Sequence, residues 1–189
     1  MTIRSFRHII ETFHRHEVDF VVVGGVAAVL HGAPVTTFDL DALIGVSEHN
    51  ARCLLAAFAE LDARYRGHST LIRPVLPGLL AGGHMLLATN AGPLDVLGFI
   101  GPHERLDDLR HAIEHMDIDG LAVPVLSLDE LIRQKKALHR DKDEAALRLL
   151  EEVVRRRPRD TQGQGPRGLC AERPLGGDPV RICGAANRR

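Results

Sequence analysis

Two aspartates one residue apart, Asp39 and Asp41, stand in a segment whose other residues suit a buried strand. Residues at positions i and i+2 of a strand project from one face, with their Cα atoms about 6.6 Å apart. Two carboxylates at that spacing can hold one or two hard cations such as Mg²⁺. Like charges on an apolar strand repel each other and are costly to desolvate, and a divalent cation relieves both costs. The pair is therefore a candidate metal site.

The spacing alone does not decide this, because the D-x-D pattern occurs three times, at Asp39/Asp41, Asp117/Asp119 and Asp141/Asp143. The last two pairs lie in polar surroundings, where solvation is a sufficient explanation. A surface turn or a strand end is an open alternative for the first pair as well. The residues around each pair are needed to distinguish a metal site from a solvated surface position.

The segment before Asp39 supplies such context. Residues 20–23 are β-branched or aromatic and predict a strand, Gly24 and Gly25 follow, and residues 26–30 suit a short helix. Backbone N–H groups at a helix N-terminus, unobstructed by side chains, are a docking place for phosphate. A third carboxylate, Asp95, is flanked by apolar residues in the second strand of a predicted hairpin. That position suits a residue facing the same site.

The elements that must position these residues follow from apolar periodicity and turn residues. Helices are predicted at residues 3–16, 26–30, 48–63, 104–116, from 128 after Ser127, and 141–156. Strands are predicted at residues 20–23, 38–46, 85–89, 94–100 and 121–125. Ser47 is the expected N-cap of the third helix, and Ser127 with Glu130 has the spacing of a capping box. Residues 71–82 match neither pattern.

Composition bounds the class of protein. With 189 residues and 44% hydrophobic content, the chain can bury one core. Its apolar runs are too short to span a membrane and its N-terminus lacks the features of a signal peptide, so we expect a cytoplasmic protein with no membrane partner. The three cysteines, Cys53, Cys170 and Cys183, form no C-x-x-C pair, which favours free thiols over disulfides or a cysteine zinc site.

The net charge of −1 conceals an asymmetry. Residues 155–189 hold nine arginines against three acidic residues, a net +6, which leaves 15 basic against 22 acidic residues before them, a net −7. An acidic body argues against a broad phosphate-binding surface for nucleic acid, although a local basic cleft is compatible with it. Residues 158–189 lack apolar periodicity and are expected to be a disordered tail.

The glycine pair, the D-x-D strand and the later acidic strand residue together resemble the nucleotidyltransferase superfamily. The closer likeness is to a small bacterial subgroup related to abortive-infection (Abi) toxins, and it covers residues 5–155. It is carried by four ordered segments, "GGVAAVLHG", "TFDLDALI", "TNAGPLDVLGFI" and "LSLDELIRQKKALHRDKDEAAL". The resemblance implies an α/β fold with a small mixed sheet flanked by helices. The expected parts are a nucleotidyltransferase core at 1–126, a C-terminal helical region at 127–157 and the tail.

The resemblance also implies an activity: metal-dependent transfer of a nucleoside monophosphate from a nucleoside triphosphate to an acceptor hydroxyl on RNA, protein or a small molecule. Mg²⁺ is the implied cofactor, with Mn²⁺ as the alternative. A role as a toxin, with an antitoxin partner, is implied in the same way. The residues given catalytic and metal-binding roles are Asp39, Asp41 and Asp95. Those given nucleotide-binding roles are Gly24, Gly25, Thr37, Lys135, Arg140 and Lys142.

One departure from the subgroup affects these expectations. The subgroup commonly reads H-G-x-x-R-x-T-x-D, and this chain has Val35 where the arginine would stand. The missing arginine is compatible with weaker phosphate binding, with a different substrate or with loss of activity. The alternative function is accordingly a catalytically inactive protein of the same fold that acts as a binding or antitoxin-like partner.

Two histidine patterns have competing readings. His111 and His115 match H-x-x-E-H, a zinc-hydrolase helix motif, but with 11 histidines in the chain a chance match is the preferred explanation. His31 ends the short predicted helix, where an imidazolium would interact favourably with the helix C-terminus. A structural role is preferred for His31 over a role near the phosphates.

Overall fold

Seven strands of the described chain form one mixed sheet. The computed structural model describes residues 3–68, 70–138 and 141–156. The strands are β1 (Phe20–Val23), β2 (Leu40–Ile44), β3 (Arg64–Tyr65), β4 (His84–Thr89), β5 (Gly92–Leu97), β6 (Ile113–Ile118) and β7 (Leu121–Leu126). Their order across the sheet is β3-β4-β5-β2-β1-β7-β6. Pairing is parallel between β2 and β5 and between β1 and β7, and antiparallel elsewhere.

The helices are α1 (Ile3–Arg15), α2 (Gly24–Leu30), α3 (Glu48–Glu60), α4 (Leu76–Leu80), α5 (Leu106–Leu109), α6 (Leu128–Leu138) and α7 (Asp141–Arg156). Helix α2 lies against β1 and β2 and also contacts α6, which packs against α7. Among the described residues, none of the helices has both the length and the apolar content needed to cross a membrane.

Strand register separates two faces of the sheet. Residues paired across neighbouring strands project to the same side, and most positions on one face are buried apolar residues of β1, β2, β4, β5 and β7. These are Phe20, Val22, Leu40, Ala42, Ile44, Met85, Leu87, Leu94, Val96 and Val125. The opposite face carries Asp41 and Asp95, and next to them Leu86, which is 50% exposed. Val21, Val23 and Leu43 project from this second face and are buried as well, so its polar part is limited to the region around Asp41 and Asp95.

The predicted fold class is confirmed: a mixed sheet is flanked by helices. The hairpin around residues 90–91 and the helix cap at Ser47, which accepts a hydrogen bond from the Asn50 N–H at 3.1 Å, are also confirmed. The division between a core at 1–126 and a helical region at 127–157 stays a prediction. The tail at 158–189 lies outside the described residues.

Several sequence-based boundaries are wrong. The helix predicted at 104–116 is limited to α5 and a 3-10 turn at Arg110–Ala112, and residues from Ile113 onward pair as β6. Strands β3 and β6 were not predicted, because their short runs of mixed polarity lack a clear period. The capping box at Ser127 is only half formed. Ser127 Oγ accepts from the Glu130 N–H at 3.4 Å, but the Ser127 N–H donates to Ala112.

Asn50 ties the beginning of β1 to the end of β2. It is 2% exposed, its amide nitrogen donates to the carbonyls of Asp19 (2.9 Å) and Gly45 (2.7 Å), and its amide oxygen accepts from the Asp19 N–H (2.8 Å). These two strands are antiparallel with Val23 opposite Asp41, so fixing one end of the pair helps to set where Asp41 lies at the other.

Replacing Asn50 with alanine is expected to lower the free energy of unfolding by about 2–3 kcal/mol, because three buried backbone groups lose their partner. Urea denaturation followed by circular dichroism measures this. Arg52→Ala is the control: it breaks an exposed i, i+4 ion pair with Glu48 in the same helix and should cost less than about 0.5 kcal/mol. Equal losses for the two variants would contradict the role given to Asn50.

Candidate active site

Asp41 and Asp95 are direct neighbours across two parallel strands. The register of β2 and β5 pairs Asp41 with Asp95, and strands lie about 4.8 Å apart in this direction. Two residues separated by more than fifty positions in the chain are thereby placed side by side on one face of the sheet. The side chain of Asp95 is 13% exposed, so the pair lies partly out of reach of bulk water.

Asp39 lies at a bend immediately before β2. The D-x-D periodicity predicted that Asp39 would lie within the strand, and this is wrong. Thr37 helps to hold this bend, since its hydroxyl donates to the Asp39 carbonyl at 3.1 Å and lies 3.4 Å from one carboxylate oxygen of the same residue. Asp39 raises the pKa of both Asp41 and Asp95 by charge repulsion, which places the three carboxylates within electrostatic reach of each other.

Gly24 and Gly25 form the first turn of α2. The sequence pattern predicted a turn at the two glycines, with the helix beginning only after it. Gly24 has a φ of +61°, and a Cβ atom there would lie 2.1 Å from a carboxylate oxygen of Asp41. A Cβ atom on Gly25 would lie 2.6 Å from the Thr37 hydroxyl, and the Gly25 N–H donates to the Asp41 carboxylate. The glycines thus let the strand carrying Asp41 and the segment carrying Thr37 approach the backbone closely.

The pKa of Asp41 is raised to about 7. Burial is the largest cause, followed by repulsion from Asp39 and then from Asp95. The hydrogen bond from Gly25 and the charge of Lys135 act in the opposite direction but do not cancel these effects. The site therefore contains a concentration of negative charge that the protein compensates only in part.

Asp95 has a different environment, because it forms an ion pair with Arg66. Burial still raises the pKa of Asp95, the charge of Arg66 acts against that effect, and Asp39 adds to it. Arg66 was not among the predicted site residues. The sequence carries no clear signal for it, because β3 spans only two residues and Arg66 follows it.

Of the predicted basic residues, the structure places Lys135 near the carboxylates. Lys135 belongs to α6, it is partly exposed, and its charge acts on Asp41. Arg140 lies outside the described residues, and Lys142 belongs to α7 in a part of the helix whose side chains are not described. Lys135 and Arg66 therefore approach Asp41 and Asp95 from two different elements, a helix and a strand end.

The donor chemistry suits a hard divalent cation, since Asp39, Asp41 and Asp95 offer only carboxylate oxygens. The partly compensated charge at Asp41 is what a cation would relieve. As the side chains stand, however, no group of three or more His, Cys, Asp or Glu residues in the described part of the chain is arranged to hold a metal ion. Asp95 is instead engaged with Arg66.

The two histidine patterns have structural explanations. His31 is 6% exposed, and its Nε2 lies 2.8 Å from the carbonyl oxygen of Leu126, a contact that links the end of α2 to the end of β7. His111 lies in the 3-10 turn and His115 in β6, so the H-x-x-E-H residues do not share the face of one helix. The geometry that a zinc-hydrolase helix requires is not formed there.

Comparison with solved structures places this fold among nucleotidyltransferases. A candidate nucleotidyltransferase from Thermotoga maritima is similar, with a TM-score of 0.52, 22% identity, and coverage of 82% of this chain and 93% of that one. The lincosamide antibiotic adenylyltransferase LnuA, solved with lincomycin bound, has a TM-score of 0.56 at 13% identity over 81% of this chain and 98% of its own. An antigenic nucleotidyltransferase-like protein from Paracoccidioides brasiliensis has a TM-score of 0.52 at 17% identity, covering 82% of this chain and 78% of that chain.

No protein-family model and no curated protein sequence matches the chain. The similarity to solved structures, at these low identities, establishes the fold. The chain has the nucleotidyltransferase fold, and in this chain the register of β2 and β5 places Asp41 and Asp95 on adjacent strands.

The raised pKa of Asp41 gives a prediction for stability. Asp41 loses its proton near pH 3.8 in the unfolded chain and near pH 7 in the folded one, so the free energy of unfolding should fall as the pH rises from about 4 to about 7. Asp41→Asn removes this fall. In EDTA the variant should be more stable than wild type by roughly 1–3 kcal/mol at pH 8, with a smaller gain at pH 5.

Urea denaturation at the two pH values measures that difference. Asp117→Asn, in another D-x-D pair, is the control and should show no such pH-dependent gain. A stability change for Asp41→Asn that is the same at pH 5 and pH 8 would contradict the assignment of a raised pKa to Asp41.

Gly24→Ala and Gly32→Ala form a matched pair of variants. Both glycines have positive φ angles, +61° and +96°, but a Cβ atom at Gly32 has no neighbour within 4 Å. Gly32→Ala should therefore cost only about 1 kcal/mol of backbone strain. Gly24→Ala must also displace Asp41 and should cost about 2–3 kcal/mol. Urea denaturation compares the two, and equal costs would exclude a steric conflict with Asp41.

Proposed function

We propose that the chain is a divalent-metal-dependent nucleotidyltransferase, which moves a nucleoside monophosphate from a nucleoside triphosphate to an acceptor hydroxyl. The observation that carries the proposal is the register of β2 and β5, which sets Asp41 beside Asp95, with Asp39 one residue before the strand. The fold shared with nucleotidyltransferases supports it.

In the proposed reaction the acceptor oxygen bonds to the α-phosphorus, the bond from that phosphorus to the pyrophosphate oxygen breaks, and the acceptor's proton goes to a base. Asp95 is the proposed base, since it lies beside Asp41 across the two strands and burial raises its pKa. Asp39, Asp41 and Asp95 would hold Mg²⁺ or Mn²⁺, and the bound cations would neutralise the charge that develops on the entering and leaving oxygens.

The triphosphate has proposed partners on the α2 and α6 side of the carboxylates. Lys135 supplies positive charge close to Asp41, which suits a contact with the phosphates. Gly24, Gly25 and Thr37 belong to the same proposal, together with Arg140 and Lys142 from the sequence. The Gly25 N–H already donates to Asp41, so one of the two glycine amides supports the carboxylate itself.

For the acceptor, a small molecule is the first choice. One neighbour in fold, LnuA, is an adenylyltransferase of a lincosamide antibiotic and was solved with lincomycin bound. The net charge of −7 before residue 155 disfavours a long nucleic-acid partner. RNA and protein are the other acceptors to test. A role as a toxin with an antitoxin partner rests on the resemblance in sequence alone.

The test is transfer of label from α-³²P-labelled triphosphates, each of the four supplied with Mg²⁺, Mn²⁺ or EDTA. Acceptors are lincomycin, total RNA and the protein itself. Label transfer that requires the divalent cation is expected. Asp41→Asn and Asp95→Asn should each lower the rate by roughly a hundredfold or more, because the first removes a proposed ligand of the cation and the second removes the proposed base.

Asp117→Asn is the matched control for that assay, since it changes a carboxylate of the same D-x-D spacing away from the proposed site, and its rate should equal that of wild type. Activity that persists in Asp41→Asn would refute the proposed site.

The alternative function is a nucleotidyltransferase-fold protein without catalysis. It is favoured by the pairing of Asp95 with Arg66 and by Val35 at the position of the subgroup's arginine. Triphosphate binding separates the two functions. Isothermal titration of ATP with Mg²⁺ should show binding if the chain is an enzyme, whereas no transfer and no binding for any of the four triphosphates would favour the binding protein.

A further inference from the structure

Arg66 continues a row of residues that crosses four strands on the face of the sheet that carries Asp41 and Asp95. Its N–H donates to the carbonyl oxygen of Leu86 at 2.8 Å, Leu86 is opposite Asp95, and Asp95 is opposite Asp41. The row therefore runs from the end of β3 through β4 and β5 to β2. Arg66 reaches past Leu86 and pairs with Asp95.

The ion pair between Arg66 and Asp95 is partly sheltered. The exposed fractions of the two side chains are 32% for Arg66 and 13% for Asp95, so solvent screens the pair less than it screens an ion pair at the surface. The pair also occupies a carboxylate oxygen of the residue that would otherwise face Asp41. One carboxylate of the three is thereby held by a cation that the protein itself supplies.

Strand β3 does not depend on this ion pair for its place in the sheet. Arg64 and Arg73 both pair with Asp62, the second at 2.5 Å. The Tyr65 N–H donates to the carbonyl of Ile72 at 2.9 Å, and β3 is paired with β4 through the backbone. A purely structural role for Arg66 would duplicate these contacts, so the position of its side chain calls for another explanation.

We propose that Arg66 is a positioning residue that competes with the divalent cation for Asp95. In the protein without metal, Arg66 holds the Asp95 carboxylate away from joint coordination with Asp39 and Asp41. A cation held by Asp39 and Asp41 would have Asp95 as a further ligand only if Asp95 left the guanidinium. The pairing of Asp95 with Arg66 explains why the three neighbouring carboxylates are not arranged as a metal-binding group in the described structure. The inference rests on the metal site of the proposed function.

The experiment measures Mn²⁺ affinity, which does not require catalysis. The Mn²⁺ remaining free is followed by electron paramagnetic resonance during titration of the full chain. The variants are Arg66→Gln, Arg66→Lys, Asp95→Asn and the double variant Arg66→Gln with Asp95→Asn. Arg64→Gln is the matched control, since it removes the same charge two residues earlier in the chain.

Removal of the competing guanidinium should tighten Mn²⁺ binding in Arg66→Gln by about five- to tenfold. Arg66→Lys keeps the charge without the planar fork and should lie between wild type and Arg66→Gln. Arg64→Gln should bind Mn²⁺ as wild type does. In the Asp95→Asn background the Arg66→Gln substitution should have no further effect, because the two residues act through one contact.

Three results would overturn the inference. Unchanged or weaker Mn²⁺ binding in Arg66→Gln, with wild type binding normally, would exclude competition. A gain of the same size in Arg64→Gln or in the Asp95→Asn background would show that general charge, and not the ion pair, is responsible. A lack of Mn²⁺ binding by every variant, wild type included, would remove the metal site of the proposed function and the role of Arg66 with it.

Thermal unfolding by circular dichroism accompanies each titration. If Arg66→Gln does not fold, Arg66→Lys decides the question, since it should still bind Mn²⁺ more tightly than wild type. Wild-type affinity in a folded Arg66→Lys protein would then count against the proposal.

Discussion

The parallel pairing of β2 with β5 places two carboxylates side by side, and much of the surrounding structure can be understood as a response to their repulsion. A pair of charges partly removed from water is stable only when nearby groups of opposite charge or hydrogen-bond donors compensate for them. Here the Gly25 N–H and Lys135 act on Asp41, while Arg66 acts on Asp95. Each compensating group comes from a different element, so α2, α6 and the end of β3 are all coupled to the same two charges.

Burial of the apolar face of the sheet offsets the free-energy cost of placing these carboxylates side by side. Leu40 and Ala42 flank Asp41 in β2, Leu94 and Val96 flank Asp95 in β5, and all four of these apolar side chains are fully buried. Because side chains alternate along a strand, burying them necessarily turns both aspartates to the other face. A slip of one residue in the register would place a carboxylate in the core. The burial of four apolar side chains therefore determines where the charges must lie.

The sequence was informative where a local pattern and a chemical requirement agreed. The strand before Gly24, the hairpin that carries Asp95 and the cap at Ser47 could all be predicted, because each depends on neighbouring residues. Arg66 could not be assigned to the site in this way. Its nearness to Asp95 depends on the position of β3 at the edge of the sheet, a non-local pairing that leaves almost no period in a two-residue strand. The helix expected at 104–116 failed for a related reason, since the pairing of β6 with β7 outweighs local helical preference.

Arg66 differs from the groups that act on Asp41 in a way that bears on how such a site can change state. Lys135 on α6 and the Gly25 N–H on α2 both act to lower the pKa of Asp41. Arg66 pairs directly with a carboxylate oxygen of Asp95 and presents a planar group that fits few alternatives. A ligand that needs this oxygen can therefore reach Asp95 only when the bond to the guanidinium is given up.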